Sequence, residues 1–171
     1  MKILLLMADA HMHKLRIGSH VRSLREAPIT LTTLAALTAD QPDVEYLLVD
    51  ESVDAVPLDA QVDLVAISVM TGTARRAYAL ADHFRLRGIP VVLGGVHVTL
   101  MPDEAARFGD TIVTGMADTV WPEVVRDFRN GVMKPRYDAA VQQDDFYRGI
   151  PTPRWDLQRR SGYMMPYTVP F

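Results

Sequence analysis

Short apolar runs alternate with longer amphipathic stretches along most of the chain. "KILLLM" (2–7), "VEYLLV" (44–49), "DLVAISVM" (63–70), "PVVLGG" (90–95) and "TIVTG" (111–115) are rich in Val, Ile and Leu, and each gives way to polar or glycine residues. A strand with one wet face would alternate apolar with polar; these do not, so they predict five strands buried on both faces. Between the third and fourth, Ala74, Ala77, Tyr78, Ala81 and Phe84 recur at helical spacing, while Arg75, Arg76, Asp82 and Arg85 take the other face. Thr71 or Thr73 is placed to cap this helix and Gly88 to end it. "ITLTTLAALTA" after Pro28 predicts a first helix, and "MPDEAARFG" a short one before the fifth strand. "TVWPEVVRDFRNG" predicts a late helix, with Trp121, Val124, Val125 and Phe128 on one stripe, Pro122 in its first turn and Gly131 after its end.

Strand and helix in regular alternation, with these connection lengths, argue for an α/β fold: a parallel sheet with helices on both faces, joined by right-handed crossovers. The expected architecture is flavodoxin-like (Rossmann-like), five strands in the order 2-1-3-4-5. This unit is expected to occupy residues 1–131. From Val132 the pattern breaks, and residues 132–171 carry prolines at 135, 151, 153, 166 and 170. Proline removes an amide donor and breaks helices, so an extended arm or linker is expected there. Phe146, Tyr147, Trp155, Tyr163, Tyr167 and Phe171 give the arm apolar anchors that could pack on a neighbour.

Composition narrows the function classes. A length of 171 residues suits one domain, with 49% hydrophobic and 23% charged residues as in a globular protein. A net charge of -3 argues against a general nucleic-acid surface. With no cysteine, disulfides, zinc-thiolate sites and cysteine-held iron–sulfur clusters are excluded within this chain. The apolar run Ile3 to Ala8 is far shorter than a membrane span of ~20 residues, and Asp9 follows it. No membrane span and a cytoplasmic location are expected.

In an open parallel sheet ligands bind beyond the carboxyl ends of the strands, where loops and helix N-termini converge. There is no G-x-G-x-x-G after the first strand and no G-x-x-x-x-G-K-[ST], which leaves a dinucleotide site or a P-loop unsupported. "SVMTGT", comprising Ser68, Val69, Met70, Thr71, Gly72 and Thr73, offers hydroxyls beside a helix start and a glycine where the chain turns. Plain helix capping is its alternative. Gly94 and Gly95, followed by Val96 and His97, strip the end of the fourth strand of side chains; a tight turn or close helix packing is the alternative. His97 could equally be a solvated loop residue. The two features lie on adjacent strands and one edge, which favours a ligand. Near Asp9, His11, His13 and His20 could form a metal arrangement, but no glutamate or cysteine completes a coordination set; a polar surface loop is the alternative, and no metal ligand is assigned.

These residues also resemble a known family. "MKILLLMAD", "APITLTTLAALTA", "VDE", "DLVAISVMTGTARRAYALADHFRLRGIPVVLGGVHVTLMPDEA", "DTIVTGMADTVWPEVVRDF" and "PTPRWDL" fall in the order seen in the amino-terminal cobalamin (B12)-binding domain of B12-dependent radical S-adenosylmethionine enzymes. The resemblance spans nearly the whole chain and is most specific at Ser68–Thr73 and at the G-G-x-H of Gly94–His97. It implies cobalamin as the ligand, its nucleotide tail passing between those two segments and its corrin ring resting near His97 and the loop that holds Gly115 and Met116. Histidine-ligating relatives carry D-x-H-x-x-G after the first strand; here Asp9-Ala10-His11 begins it and Lys14 replaces its glycine, so cobalt is not expected to be ligated by His11. The loop after the fifth strand usually reads Gly-Glu-x-Glu, against Gly115-Met116-Ala117-Asp118 here.

A radical S-adenosylmethionine barrel needs C-x3-C-x2-C for its 4Fe-4S cluster, and this chain has no cysteine. The resemblance therefore implies an isolated or truncated domain, without catalytic residues of its own, whose full-length parent, a methyltransferase or cyclase, holds the cluster and S-adenosylmethionine in a separate domain. A flavin- or nucleotide-binding domain, or a ligand-free docking domain, are the competing readings.

Overall fold

The structure is a computed structural model that describes residues 1–9, 14–17, 20–41, 43–139, 149–158 and 161–165. Its strands, in chain order, are β1 (Lys2–Met7), β2 (Lys14–Ile17), β3 (His20–Glu26), β4 (Glu45–Asp50), β5 (Leu64–Ser68), β6 (Val91–Gly94), β7 (Thr111–Thr114), β8 (Arg136–Asp138) and β9 (Tyr163–Met165). The helices are α1 (Ile29–Ala36), α2 (Ala74–Leu86), α3 (Val96–Leu100), α4 (Pro102–Ala105) and α5 (Trp121–Arg129).

All five doubly apolar runs become parallel strands, and they pair in the expected order, as β4-β1-β5-β6-β7. Side chains on a strand alternate between faces, so each strand feeds two cores. Ile3, Leu5, Met7, Ala66, Val92 and Val113 meet Leu31 of α1 and Trp121, Val124 and Val125 of α5. Leu4, Leu6, Val65, Ile67 and Leu93 meet Ala77, Leu80, Ala81 and Phe84 of α2.

The strand count differs from the five expected: β8 adds a sixth at the β7 edge. Only Tyr137 of this strand is buried, with Arg136 and Asp138 exposed, which is why it carries no apolar run. Its Tyr137 hydroxyl donates to the buried Asp127 of α5 (2.8 Å) and accepts from the Lys134 amide (3.0 Å). Pro135 costs nothing at a sheet margin, and its carbonyl accepts from Ile112 N at 3.0 Å.

A second difference lies after β1. The stretch expected as a polar loop contains the β2–β3 hairpin, which with β9 makes a separate three-stranded sheet in the order β2-β3-β9. Leu15 and Leu24 in it are exposed while Ser23 is buried, so these strands lack the doubly apolar run that marks the main sheet. Tyr163 of β9 is buried and donates to Asp50 Oδ2 at 3.2 Å, holding this small sheet over the end of β4. Trp155 and Tyr163, two of the arm's expected anchors, thus pack on their own chain; Phe146, Tyr147, Tyr167 and Phe171 lie outside the described residues. Among the described residues no helix is long and apolar enough to cross a membrane.

Candidate functional site

At the carboxyl end of the sheet, on the face shared by α1 and α5, the side chains run out. Register aligns Asp50, Met7, Ser68 and Gly94 in one row across four strands, so side-chain bulk falls from methionine to serine to nothing. One row back, Ala66 pairs with Val92. The helices cannot follow this step down, and a cavity of about 690 Å³ is left between the strand ends, α1 and the start of α5. That is within the range of roughly 300–1,000 Å³ common for small-molecule sites.

Its floor is Ala66, Ser68, Val92, Gly94 and Val113; α1 contributes Ile29, Thr30, Thr33, Leu34 and Leu37. Gly115, Met116, Ala117 and Asp118 border it on the β7 side, with Trp121 beside them, and Ile150–Pro153 with Trp155 pass across as a strap. The strap is fixed to α1 by a bond from Arg154 N to the Thr32 carbonyl at 3.0 Å. Polar groups are few. Trp121 Nε1 donates to Tyr46 Oη at 3.3 Å, and Tyr46 Oη is 2.6 Å from Thr38 Oγ1, so the indole N–H is already used. Asp118 Oδ1 is buried and has no hydrogen-bond partner among the described residues. A buried acceptor left unmatched is costly, and a ligand donor would satisfy it.

The two glycines have different reasons to be there. A Cβ on Gly95 would fall 2.8 Å from Val69 O and 2.9 Å from Val69 N, and its φ of +103° is one that L side chains rarely adopt. Gly95 is therefore required by the chain's own backbone. Gly94 has no such constraint: its Cβ would sit 3.7 Å from Val113, at ordinary contact distance, on the cavity face.

The remaining sequence-predicted residues divide between the edge and the opposite face. Val69 is fully buried and joins the two loops, its amide donating to Gly94 O (2.8 Å) and its carbonyl accepting from His97 N (3.1 Å). The Thr73 hydroxyl bonds Met70, accepting from its amide at 3.2 Å and donating to its carbonyl at 3.1 Å. Thr71, Gly72 and Val96 are exposed, and Met70 is half-buried. His97 is not a solvated loop residue but a buried one in α3, 3.3 Å from Thr71 Oγ1, 3.1 Å from Tyr78 Oη and 3.4 Å from Glu104 Oε1. Burial first, and then hydrogen bonding to Glu104 and its charge, push the Tyr78 phenol up to about 12. Of the predicted set, then, Ser68, Gly94, Gly95, Gly115 and Met116 line the cavity, while Val69, Thr73 and His97 brace its edge from behind.

Sequence reasoning expected α1, the helix of Trp121 and an extended arm, but assigned neither these nor Asp118 to the site. One signal for α1 was present: no charged residue occurs from Ala27 to Ala39, too uniform for a helix with a solvent face. Near β1, Asp9 is buried and pairs with Lys14 Nζ at 3.1 Å, while its amide donates to Glu51 Oε2 at 3.1 Å. The residue that breaks D-x-H-x-x-G is thus the partner of that motif's aspartate. His11 and His13 lie outside the described residues, as does the His20 side chain; among the described residues no group of three His, Cys, Asp or Glu is placed to hold a metal.

Comparison with known proteins bears on the cavity's occupant. The family model described as the B12 binding domain matches residues 4–125. Bacteriochlorophyllide d C-8(2)-methyltransferase of Chlorobaculum tepidum is 44% identical over 112 residues, 65% of this chain and 24% of that protein. Bacteriochlorophyllide d C-12(1)-methyltransferase of the same organism is 36% identical over 115 residues, 66% of this chain and 25% of its own length. The chain therefore spans about a quarter of these curated relatives. The N-terminal domain of a hypothetical protein from Thermotoga maritima is 25% identical, with a TM-score of 0.45, covering 63% of this chain and 87% of that one.

Proposed function

Because this chain belongs to the B12-binding domain family, we propose that it is the cobalamin module of a longer radical S-adenosylmethionine enzyme, holding the cofactor's nucleotide tail in the cavity beside α1. The observation that carries this reading is the cavity itself: a hollow at the carboxyl edge, floored by Ser68 and Gly94, in the region the family model covers. The residues fit such a guest. Apolar walls exclude water from an inserted aromatic base, Ser68 and Asp118 offer polar atoms toward its polar linkage, and Gly94 keeps the floor low. The corrin would then lie at the strand ends, beside the exposed Val96 and Met116. Cobalamin supplies organometallic methyl-transfer chemistry; this chain's part is binding, orientation and shielding. The relatives' methyltransferase names and greater length support a separate domain in the parent, carrying a 4Fe-4S cluster and S-adenosylmethionine.

The test is retention. Mixed with hydroxocobalamin and desalted, the chain should keep a corrinoid spectrum, and Gly94→Leu should weaken retention at least about tenfold, equivalent to ~1.4 kcal/mol, without loss of fold by circular dichroism. Retention of flavin and not corrinoid, or undiminished corrinoid binding by folded Gly94→Leu, would overturn the assignment.

A further inference from the structure

Polarity is distributed unevenly through the cavity. Its polar side chains are Ser68 at the end of β5, Thr30 and Thr33 in the first turns of α1, Asp118 in the loop after β7, and, on the strap, the exposed Thr152 and the indole of Trp155. The inner end is different. Ala66 and Val92 lie two residues back along their strands from Ser68 and Gly94, roughly 6–7 Å deeper, and Leu34 and Leu37 lie further along α1. None of these carries a polar side-chain atom. Their strand amides and carbonyls belong to the sheet ladder, in which Ala66 pairs with Val92, and the Trp121 indole N–H is committed to Tyr46. The Tyr46 hydroxyl, whose pKa burial drives upward, lies within its own network with Thr38 and Trp121.

We propose that this inner end makes the site selective for the base of the nucleotide tail: corrinoids carrying an apolar arene of the benzimidazole kind are accepted, and those carrying a purine are discriminated against. The inference rests on the functional reading above. A purine inserted to this depth brings ring nitrogens and, in adenine, an exocyclic amine, and it loses their water without gaining partners from Ala66, Val92, Leu34 or Leu37. The two bases share their imidazole nitrogens, but at the six-membered ring the dimethylbenzimidazole of cobalamin presents only ring carbon and methyl groups. Leaving even one or two such polar groups unpaired weakens binding by roughly ten- to a hundredfold.

Equilibrium titration of the purified chain, followed by the corrinoid absorption spectrum, separates the possibilities with three probes: cobalamin, the corresponding adenine-carrying cobamide, and cobinamide, which has no nucleotide. The expected order is cobalamin tightest, the adenine cobamide roughly ten- to a hundredfold weaker, and cobinamide weaker than cobalamin. Leu34→Gln, which adds a donor and an acceptor to the inner wall, should narrow the gap between the first two. Equal affinity for cobalamin and the adenine cobamide, both above cobinamide, would overturn base selection while leaving the tail cavity in place. Cobinamide binding as tightly as cobalamin, or no corrinoid binding at all, would instead overturn the cavity assignment, and base selection with it.

Discussion

The two faces of one sheet end differently. On the α2 face, Val65, Ile67 and Leu93 meet Phe84, Ala77 and Ala81, and the packing continues to the strand ends, where His97, Tyr78, Thr71 and Glu104 close it with a hydrogen-bonded cluster. On the α1 face the same strands offer Ala66, Ser68 and Gly94, and the packing stops short. Strand alternation makes this possible: neighbouring residues on a strand serve opposite faces, so one face can be filled while the other is hollowed. The filled face sets where the strand ends lie; the hollow one is free to receive something.

The sharpest way to break this contrast is to hollow the filled face. Phe84→Ala removes a side chain with no exposed surface, and a loss of about 3–5 kcal/mol is expected in urea unfolding, with corrinoid affinity of the remaining folded protein little changed. A smaller effect should distinguish the twin glycines. Gly95→Ala forces a Cβ against the Val69 backbone at an unfavourable φ and should cost about 1–3 kcal/mol, whereas Gly94→Ala, unhindered, should be neutral or stabilise by up to ~1 kcal/mol. Equal costs for the two would show that they share one role. Smallest is a pH effect on the braced face. The Tyr78 phenol is raised from 10.0 to about 12, so the folded state holds its proton more tightly; the stabilisation is complete below pH 10 and is lost as pH rises through 12. Unfolding midpoints should fall across that window, and less steeply in Tyr78→Phe.

Much of this contrast was legible in the sequence, though not all of it. β1 starts and stops where its apolar run does, and α2 follows its two-faced pattern, because residues buried on both sides of a sheet and on one side of a helix leave different periods. Gly94 and Gly95 marked the edge at which the cavity opens, but sequence cannot say that one yields to the protein's own backbone and the other borders that cavity. For His97 the sequence left a cofactor contact and a solvated loop residue both open, because its partners Thr71, Tyr78 and Glu104 come from three separate segments. β8 was missed because a three-residue margin strand needs only Tyr137 inward, and the hairpin after β1 because it buries Ser23 and exposes Leu15 and Leu24, which leaves no apolar run to read. The strap's proline-rich residues signalled an extended segment, without indicating what they would lie across.

The wall of the cavity is drawn from stretches far apart in the chain: α1, the ends of β5, β6 and β7 with the turn that follows, the start of α5, and the segment from Ile150 to Trp155. A guest touching all of them acts as a non-covalent crosslink, and no unfolded chain can offer the same grip. Thermal resistance should therefore climb with the logarithm of guest concentration once the dissociation constant is exceeded, by about 2.7 kcal/mol at a hundredfold excess over it.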